Sequence, residues 1–142
     1  MNTSISFFIQ LAKLQSIMSR RFDARLGGLG LSEFIILFHL SQAEEGTLRR
    51  VDLAEKVGLT ASGVTRLLLP MEKIGLVKRV ADESDARVSQ VKIAPSGKRQ
   101  FEEGIERAEI LCEDLFTPAQ TKKLESLSEL LAELGRSAMV SG

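Results

Sequence analysis

The stretch that decides the fold runs from residue 48 to residue 97 and reads LRRVDLAEKVGLTASGVTRLLLPMEKIGLVKR, then VADESDARVSQVKIAPSG. Apolar residues recur at helical spacing in its first part: Leu53, Ala54 and Val57. Gly58 tolerates a positive φ angle, and Thr60 is placed to cap a second helix. We expect Leu59 to fill the angle between them. The pattern predicts two helices joined by a tight turn.

The second helix of this pair has an apolar face and a small, polar face. Its apolar face consists of Val64, Leu67, Leu68 and Met71. Small outward residues at the N-terminal end permit close approach to base edges and phosphates, and an arginine there can contact guanine through two hydrogen bonds. We therefore predict a DNA recognition helix whose contact residues are Thr60, Ser62, Gly63, Thr65 and Arg66.

Pro70 conflicts with this helix. A proline in a helix interior removes a hydrogen bond and clashes with the carbonyl four residues earlier, here that of Arg66, at a cost of ~3 kcal/mol. We expect a kink or a break at Pro70, which bends the end of the helix onto the core rather than contacting DNA.

After Gly75 the pattern becomes alternating, which predicts two short strands at residues 76–81 and 88–93 around a charged tip. An arginine at such a tip suits the narrow, electronegative minor groove, so Arg87 is a candidate DNA contact. We expect Asp85 to hold Arg87 by an ion pair; the alternative is a solvated turn without a role. Together these elements have the layout of a winged helix-turn-helix.

The chain resembles the MarR (multiple antibiotic resistance regulator) family. The resemblance rests on VDLAEKVGLTASGVTRLLLPMEKIGLVKR, on Asp85-x-Arg87 with Asp82 ahead of it, on IAPSGK, and on long helices at both ends. It implies an obligate homodimer that binds a pseudo-palindromic operator, usually as a repressor. It also implies release by a small anionic or phenolic ligand, or by an oxidant. The chain departs from the family pattern at Val88, commonly polar or basic, and at Ala94, commonly a hydroxyl residue; Pro95 still suits a first helical position.

Charge is unevenly distributed, although the formal net charge of the 142 residues is zero. Residues 49–99 hold eleven basic and six acidic side chains, whereas residues 100–142 hold four and nine. Positive charge is thus concentrated in the predicted DNA-binding part of the chain. Such charge favours DNA binding because it releases counterions from the phosphates. The expected phosphate partners are Arg49, Arg50, Lys73, Lys78 and Arg79.

Apolar stripes near both ends predict interaction helices at residues 5–26 and 95–138. Within the second range, Thr117-Pro118-Ala119-Gln120 restarts a helix with a capping box. The stripes exceed what one small winged domain can cover, so we predict a homodimer, against the alternative of packing within one chain. The expected dimer contacts are Phe8, Leu11, Phe101, Ile105, Cys112, Leu124, Leu127, Leu131 and Leu134.

These elements predict one mainly α domain, residues 1–142, with a small β-hairpin wing. Residues 1–30 and 95–142 are the expected dimerisation helices, and residues 31–94 the expected DNA-binding lobe. Its first helix, residues 31–43, is expected to begin with Ser32 as N-cap. The sequence lacks the apolar run of ~20 residues that a membrane span needs, and it lacks the early basic region of a signal peptide. We therefore expect a cytoplasmic protein.

Catalytic and metal chemistry are not indicated. His39 is the only histidine and has no cluster of ligands at metal-binding spacing, so a core or ligand-pocket role is favoured. Cys112 is the only cysteine, and dimer packing is favoured over the alternative of a cysteine-based redox sensor.

Phosphate-binding loops, nucleophile elbows and zinc spacings are also missing from the sequence. We therefore predict a regulator that binds double-stranded DNA without a cofactor, is not an enzyme and is open to a small anionic or aromatic effector. The alternative is a winged-helix module that binds only protein.

Overall fold

The computed structural model describes residues 1–82, 84–85 and 87–141, without the side chains of Val140 and Ser141. It is mainly helical, as the sequence predicts, and has a three-stranded antiparallel sheet that contains the two predicted strands. The described chain forms two compact units, Met1–Ala108 and Glu109–Gly142. In chain order the elements are α1 (Thr3–Arg25), α2 (Leu31–Gln42), a 3-10 turn (Glu44–Gly46), β1 (Thr47–Arg49), α3 (Arg50–Val57), α4 (Ala61–Lys73), β2 (Val77–Ala81), β3 (Ser89–Ile93), α5 (Pro95–Leu115) and α6 (Pro118–Ser141).

The turn between α3 and α4 confirms two of the three predictions made for it. Gly58 ends α3 with a φ of 73°, and its N–H lies 3.2 Å from the Glu55 carbonyl oxygen. The Thr60 hydroxyl accepts the Gly63 N–H at 3.1 Å and so caps α4. Leu59 does not fill the angle between the helices; it is 45% exposed, because Leu53 and Val64 already occupy the interior.

The apolar face of α4 lies where the sequence predicts it. Val64, Leu68 and Met71 are buried, and Leu67 packs against the same core. The helix continues through Pro70 to Lys73, so the expected break was wrong. Pro70 is exposed and lies in the last turn of α4. Its missing N–H removes one backbone hydrogen bond at a point where the helix has only three residues left to form.

The sheet has the order β1-β3-β2, with both neighbouring pairs antiparallel. In the centre Val91 pairs with Leu48 on β1 and with Arg79 on β2. The sequence analysis missed β1, because three residues are too few to show alternation. A turn with Glu45 at a φ of 57° precedes β1 and directs it alongside β3.

Helix α2 crosses the core of the first unit. It begins at Leu31 with Gly30 as N-cap, so the predicted Ser32 cap was wrong. Instead the Asp23 carboxylate, from α1, accepts the Leu31 N–H at 2.7 Å. His39 is half-buried on this helix, and burial together with the Lys56 charge lowers the pKa of His39.

The segment Ala94–Gly97 fastens the start of α5 to the turn between α4 and β2. The Ala94 N–H donates to the Leu76 carbonyl at 2.9 Å, and the Ser96 hydroxyl donates to the Gly75 carbonyl at 2.6 Å. Gly97 is buried so close to Leu76 that a Cβ atom there would overlap the Leu76 carbonyl oxygen. The small residues of this segment therefore permit close contact between α5 and the turn before β2.

In the second unit, the predicted capping box starts α6. The Thr117 N–H donates to the Gln120 side chain at 2.9 Å, and the Gln120 N–H donates to the Thr117 hydroxyl at 3.2 Å. Among the described residues, no helix is both long enough and apolar enough to cross a bilayer.

Candidate nucleic-acid interface

The N-terminal end of α4 presents a small, polar surface. Ser62 and Arg66 are exposed, and the Ser62 and Thr60 hydroxyl oxygens lie 3.2 Å apart. Gly63 and Thr65 are half-buried. The Thr65 hydroxyl accepts a hydrogen bond from Arg50 at 2.8 Å. This bond links α4 to the first residue of α3.

Arg50 and Arg79 share one carboxylate, that of Glu72. Arg50 Nη2 lies 3.3 Å from Glu72 Oε1, and Arg79 Nη2 lies 3.6 Å from Glu72 Oε2. The side chain of Arg50 is only 17% exposed, so this expected phosphate partner is held inside the lobe. The sequence could not show this pairing, because the three residues lie on α3, α4 and β2.

At the wing tip, the ion pair between Asp85 and Arg87 is confirmed. Arg87 Nε lies 3.2 Å from Asp85 Oδ1, and the Arg87 N–H donates to the same oxygen at 3.0 Å. These hydrogen bonds hold the pKa of Asp85 below its usual value. The Arg87 side chain is 92% exposed. Its guanidinium group is therefore oriented by Asp85 at Nε and is otherwise open to solvent.

Asp82 forms the root of the wing, and the sequence analysis assigned it no role. Its side chain is 8% exposed. Its carboxylate accepts the N–H and hydroxyl of Ser84 at 2.9 and 2.6 Å and the Gln90 amide at 3.3 Å. It also pairs with Arg49 at 3.2 Å. The spacing of Asp82 and Ser84, typical of an Asx turn, is the signal that could have revealed it.

The hydrogen bonds from Ser84, followed by the charge of Arg49, hold the pKa of Asp82 below its usual value against the opposing effect of burial. Arg49 is therefore engaged by a carboxylate, as Arg50 and Arg79 are. By contrast, Arg66, Lys73 and Lys78 are exposed and make no ion pair within the described part of the chain.

Residues 29–89, which include α4, Glu72, Asp82 and Arg87, match the model of the MarR family. Over these residues the chain is similar to the MarR family. Among curated relatives, the HTH-type transcriptional regulator FarR of Neisseria gonorrhoeae is 32% identical over 94 residues. The match covers 66% of this chain and 64% of FarR, a little under two thirds of that protein.

Solved structures of regulators share the fold. The transcriptional regulator BldR of Sulfolobus solfataricus superposes with a TM-score of 0.79 at 26% identity, covering 94% of this chain and 99% of BldR. Sco3205, a MarR family regulator of Streptomyces coelicolor solved in complex with DNA, has a TM-score of 0.74 at 20% identity, covering 94% and 89%. These matched proteins are named as transcriptional regulators, not as enzymes.

The residues expected at the dimer interface lie in different environments. In the first unit Phe8 is exposed and Leu11 half-buried, whereas Phe101 belongs to the core and Ile105 packs against it. Phe101 is 8% exposed and packs against Phe34 with ring centroids 5.2 Å apart, so it is not open to a partner. In the second unit Cys112 and Leu124 are half-buried, and the exposed residues are Leu127, Leu131 and Leu134.

Proposed function

We propose that this protein is a sequence-specific regulator of the MarR type that binds double-stranded DNA as a cytoplasmic homodimer, acting as a repressor on a pseudo-palindromic operator. One observation carries the proposal: the capped N-terminus of α4 exposes Ser62 and Arg66 in the lobe that also carries the open guanidinium of Arg87. A protein-only module would not require this arrangement of cations.

In the proposed complex α4 enters the major groove, where Arg66 contacts a base and Thr60, Ser62, Gly63 and Thr65 allow close approach. Arg87, oriented by Asp85, enters the minor groove. Lys73 and Lys78, exposed and without an ion pair among the described residues, are the proposed phosphate contacts. Arg49, Arg50 and Arg79 are held by carboxylates, so we assign them to positioning.

The proposed dimer is supported by apolar side chains left exposed in both units, Phe8 in the first and Leu127, Leu131 and Leu134 in the second. A symmetric dimer places two recognition helices on successive turns of DNA, roughly 34 Å apart. We propose that a small anionic or aromatic effector changes this separation and thereby releases the operator.

Selection of bound duplexes from a random library, followed by titration of the enriched sequence at two salt concentrations, tests this function. We expect an inverted repeat and a steep salt dependence, because phosphate contacts release counterions. The absence of both enrichment and salt dependence would contradict DNA binding and favour a module that binds protein.

Two arginine variants test the assigned contacts. Arg66→Ala should relax base preference at one position of each half-site, at a cost of about 1–3 kcal/mol, because a base contact is lost. Arg87→Ala should weaken binding to all duplexes and lower the salt slope by about 1. Fluorescence anisotropy with duplexes mutated one base pair at a time measures both effects.

The matched control for these variants is Arg20→Ala on α1. Arg20 is exposed and is not among the proposed DNA contacts. If all three variants bind like the unmodified protein, the contact assignment is wrong even if the protein binds DNA.

A further inference from the structure

One carboxylate connects the recognition helix to the two elements that flank it. Glu72, on α4, binds Arg50 of α3 through one oxygen and Arg79 of β2 through the other. The Arg50 guanidinium also donates to Thr65, seven residues before Glu72 on the same helix. Seven residues are nearly two helical turns, so Thr65 and Glu72 share the face that meets Arg50.

This cluster is shielded from solvent more than an ordinary surface ion pair. The side chains of Glu72 and Arg50 are 21% and 17% exposed, while that of Arg79 is 54% exposed. Partly buried, charge-assisted contacts are less weakened by salt and water than exposed ones. Glu72 therefore fixes the orientation of two arginines next to the proposed DNA surface.

We propose that Glu72 determines sequence selectivity by holding Arg50 and Arg79 away from DNA phosphates, an inference that rests on the proposed function. An arginine freed from its carboxylate becomes a mobile cation, and contacts between cations and phosphates carry no sequence information. The pairing thus removes two charges from non-specific binding. It also keeps Arg50 on the Thr65 hydroxyl, which positions the helix that reads bases.

Glu72→Gln removes the charge but keeps the shape of the side chain and an oxygen that can accept a hydrogen bond. Arg79, 54% exposed, is the arginine that can reach a phosphate once freed, whereas Arg50 is 17% exposed. For this one added contact we expect the variant to bind unrelated duplexes about fivefold more tightly near 0.1 M salt and to show a salt slope steeper by about 0.9. Binding to the selected operator should not rise in proportion, so the selectivity ratio falls. A purely structural role predicts weaker binding to every duplex instead.

The matched control is Glu103→Gln on α5, an exposed carboxylate without an ion pair in the described residues. It makes the same change in net charge and should leave both the salt slope and the selectivity ratio unchanged. The double variant Glu72→Gln, Arg79→Gln removes the more exposed of the two freed cations. Its salt slope should return to that of the unmodified protein.

Glu72→Asp provides a second route if Glu72→Gln does not fold, as judged by thermal unfolding. The shorter carboxylate keeps its charge but cannot reach both arginines, so non-specific binding should rise in the same direction by a smaller factor. The proposal is overturned if the folded Glu72 variants have the slope and selectivity of Glu103→Gln, or bind all duplexes more weakly. If the unmodified protein itself shows no salt-dependent duplex binding, the proposed function fails instead.

Discussion

At the residue scale, a single carboxylate at the root of the wing holds together three parts of the chain. Asp82 follows β2, and it binds Arg49 at the end of β1, Gln90 on β3 and Ser84 in the wing turn. Because Arg87 lies five residues beyond Asp82 in the same wing, the direction of the exposed guanidinium depends on this anchor. Asp82 therefore acts on DNA binding without contacting DNA in the proposed complex.

Asp82→Asn should loosen the wing and lower the free energy of unfolding at neutral pH, because the charge that Arg49 and Ser84 bind is removed. The pKa of Asp82 is lowered in the folded state, so its stabilisation is complete above the unfolded pKa of about 3.9. It is lost as the pH falls through the lower, folded pKa. The stability difference between the two proteins should therefore narrow below about pH 4.

Urea unfolding followed by circular dichroism at neutral and acidic pH measures this difference. Asp114→Asn, at an exposed position of α5 without an ion pair in the described residues, is the control. A stability difference for Asp82→Asn that stays constant through the acidic range would show that the carboxylate charge does not hold the wing.

At the element scale, the N-terminus of α5 packs closely against the turn between helix α4 and strand β2. Gly97 meets the Leu76 carbonyl where β2 is about to begin, and Ser96 binds the Gly75 carbonyl in the same turn. A backbone carbonyl cannot rotate away as a side chain can. The fit between α5 and this turn is consequently rigid.

Gly97→Ala should destabilise the protein by about 1–3 kcal/mol, because the added methyl group displaces α5 from Leu76. Alanine is otherwise the better helix former, so intrinsic propensity would predict the opposite sign. The midpoint of urea unfolding distinguishes the two. Lys98→Ala, at the next and exposed position, should change stability by less than about 0.5 kcal/mol. A stabilised Gly97→Ala protein would contradict the close contact.

The sequence predicted the elements whose signals are local. The cap at Thr60, the left-handed turn at Gly58 and the capping box from Thr117 all depend on residues within four positions of one another. Strand β1 escaped prediction because three residues carry no periodic signal, and its partner β3 lies more than forty positions later.

The same limit applies to the candidate site. The Asp85–Arg87 pair was predictable from a spacing of two residues, and the structure confirms it. The pairing of Glu72 with Arg50 could not be predicted, because Arg50 lies 22 positions away from Glu72. Nothing in a linear pattern selects Glu72 over other acidic residues. The sequence does not distinguish an exposed cation such as Lys78 from an ion-paired one such as Arg50. The folded structure does, because it shows which cations lie beside a carboxylate.

At the scale of the whole molecule, basic and acidic groups are segregated along the chain. The excess of basic groups falls in residues 49–99, whereas the second unit, residues 109–142, combines acidic groups with exposed leucines. A surface that is acidic and apolar is poorly suited to DNA but well suited to another protein surface. This segregation supports the division of the proposed functions between DNA binding and self-association.

Leu131→Lys should convert the proposed dimer into a monomer, because it places a charge in the middle of the α6 stripe that includes Leu127 and Leu134. Light scattering after size exclusion should show the mass of one chain. Affinity for a full inverted repeat should fall at least tenfold, whereas affinity for a single half-site should change little, since linkage of two lobes multiplies their binding. Ala132→Lys adds the same charge outside the stripe and should remain dimeric. If Leu131→Lys also stays dimeric, α6 does not form the interface, and the exposed apolar residues of α1, beginning with Phe8, become the next surface to change.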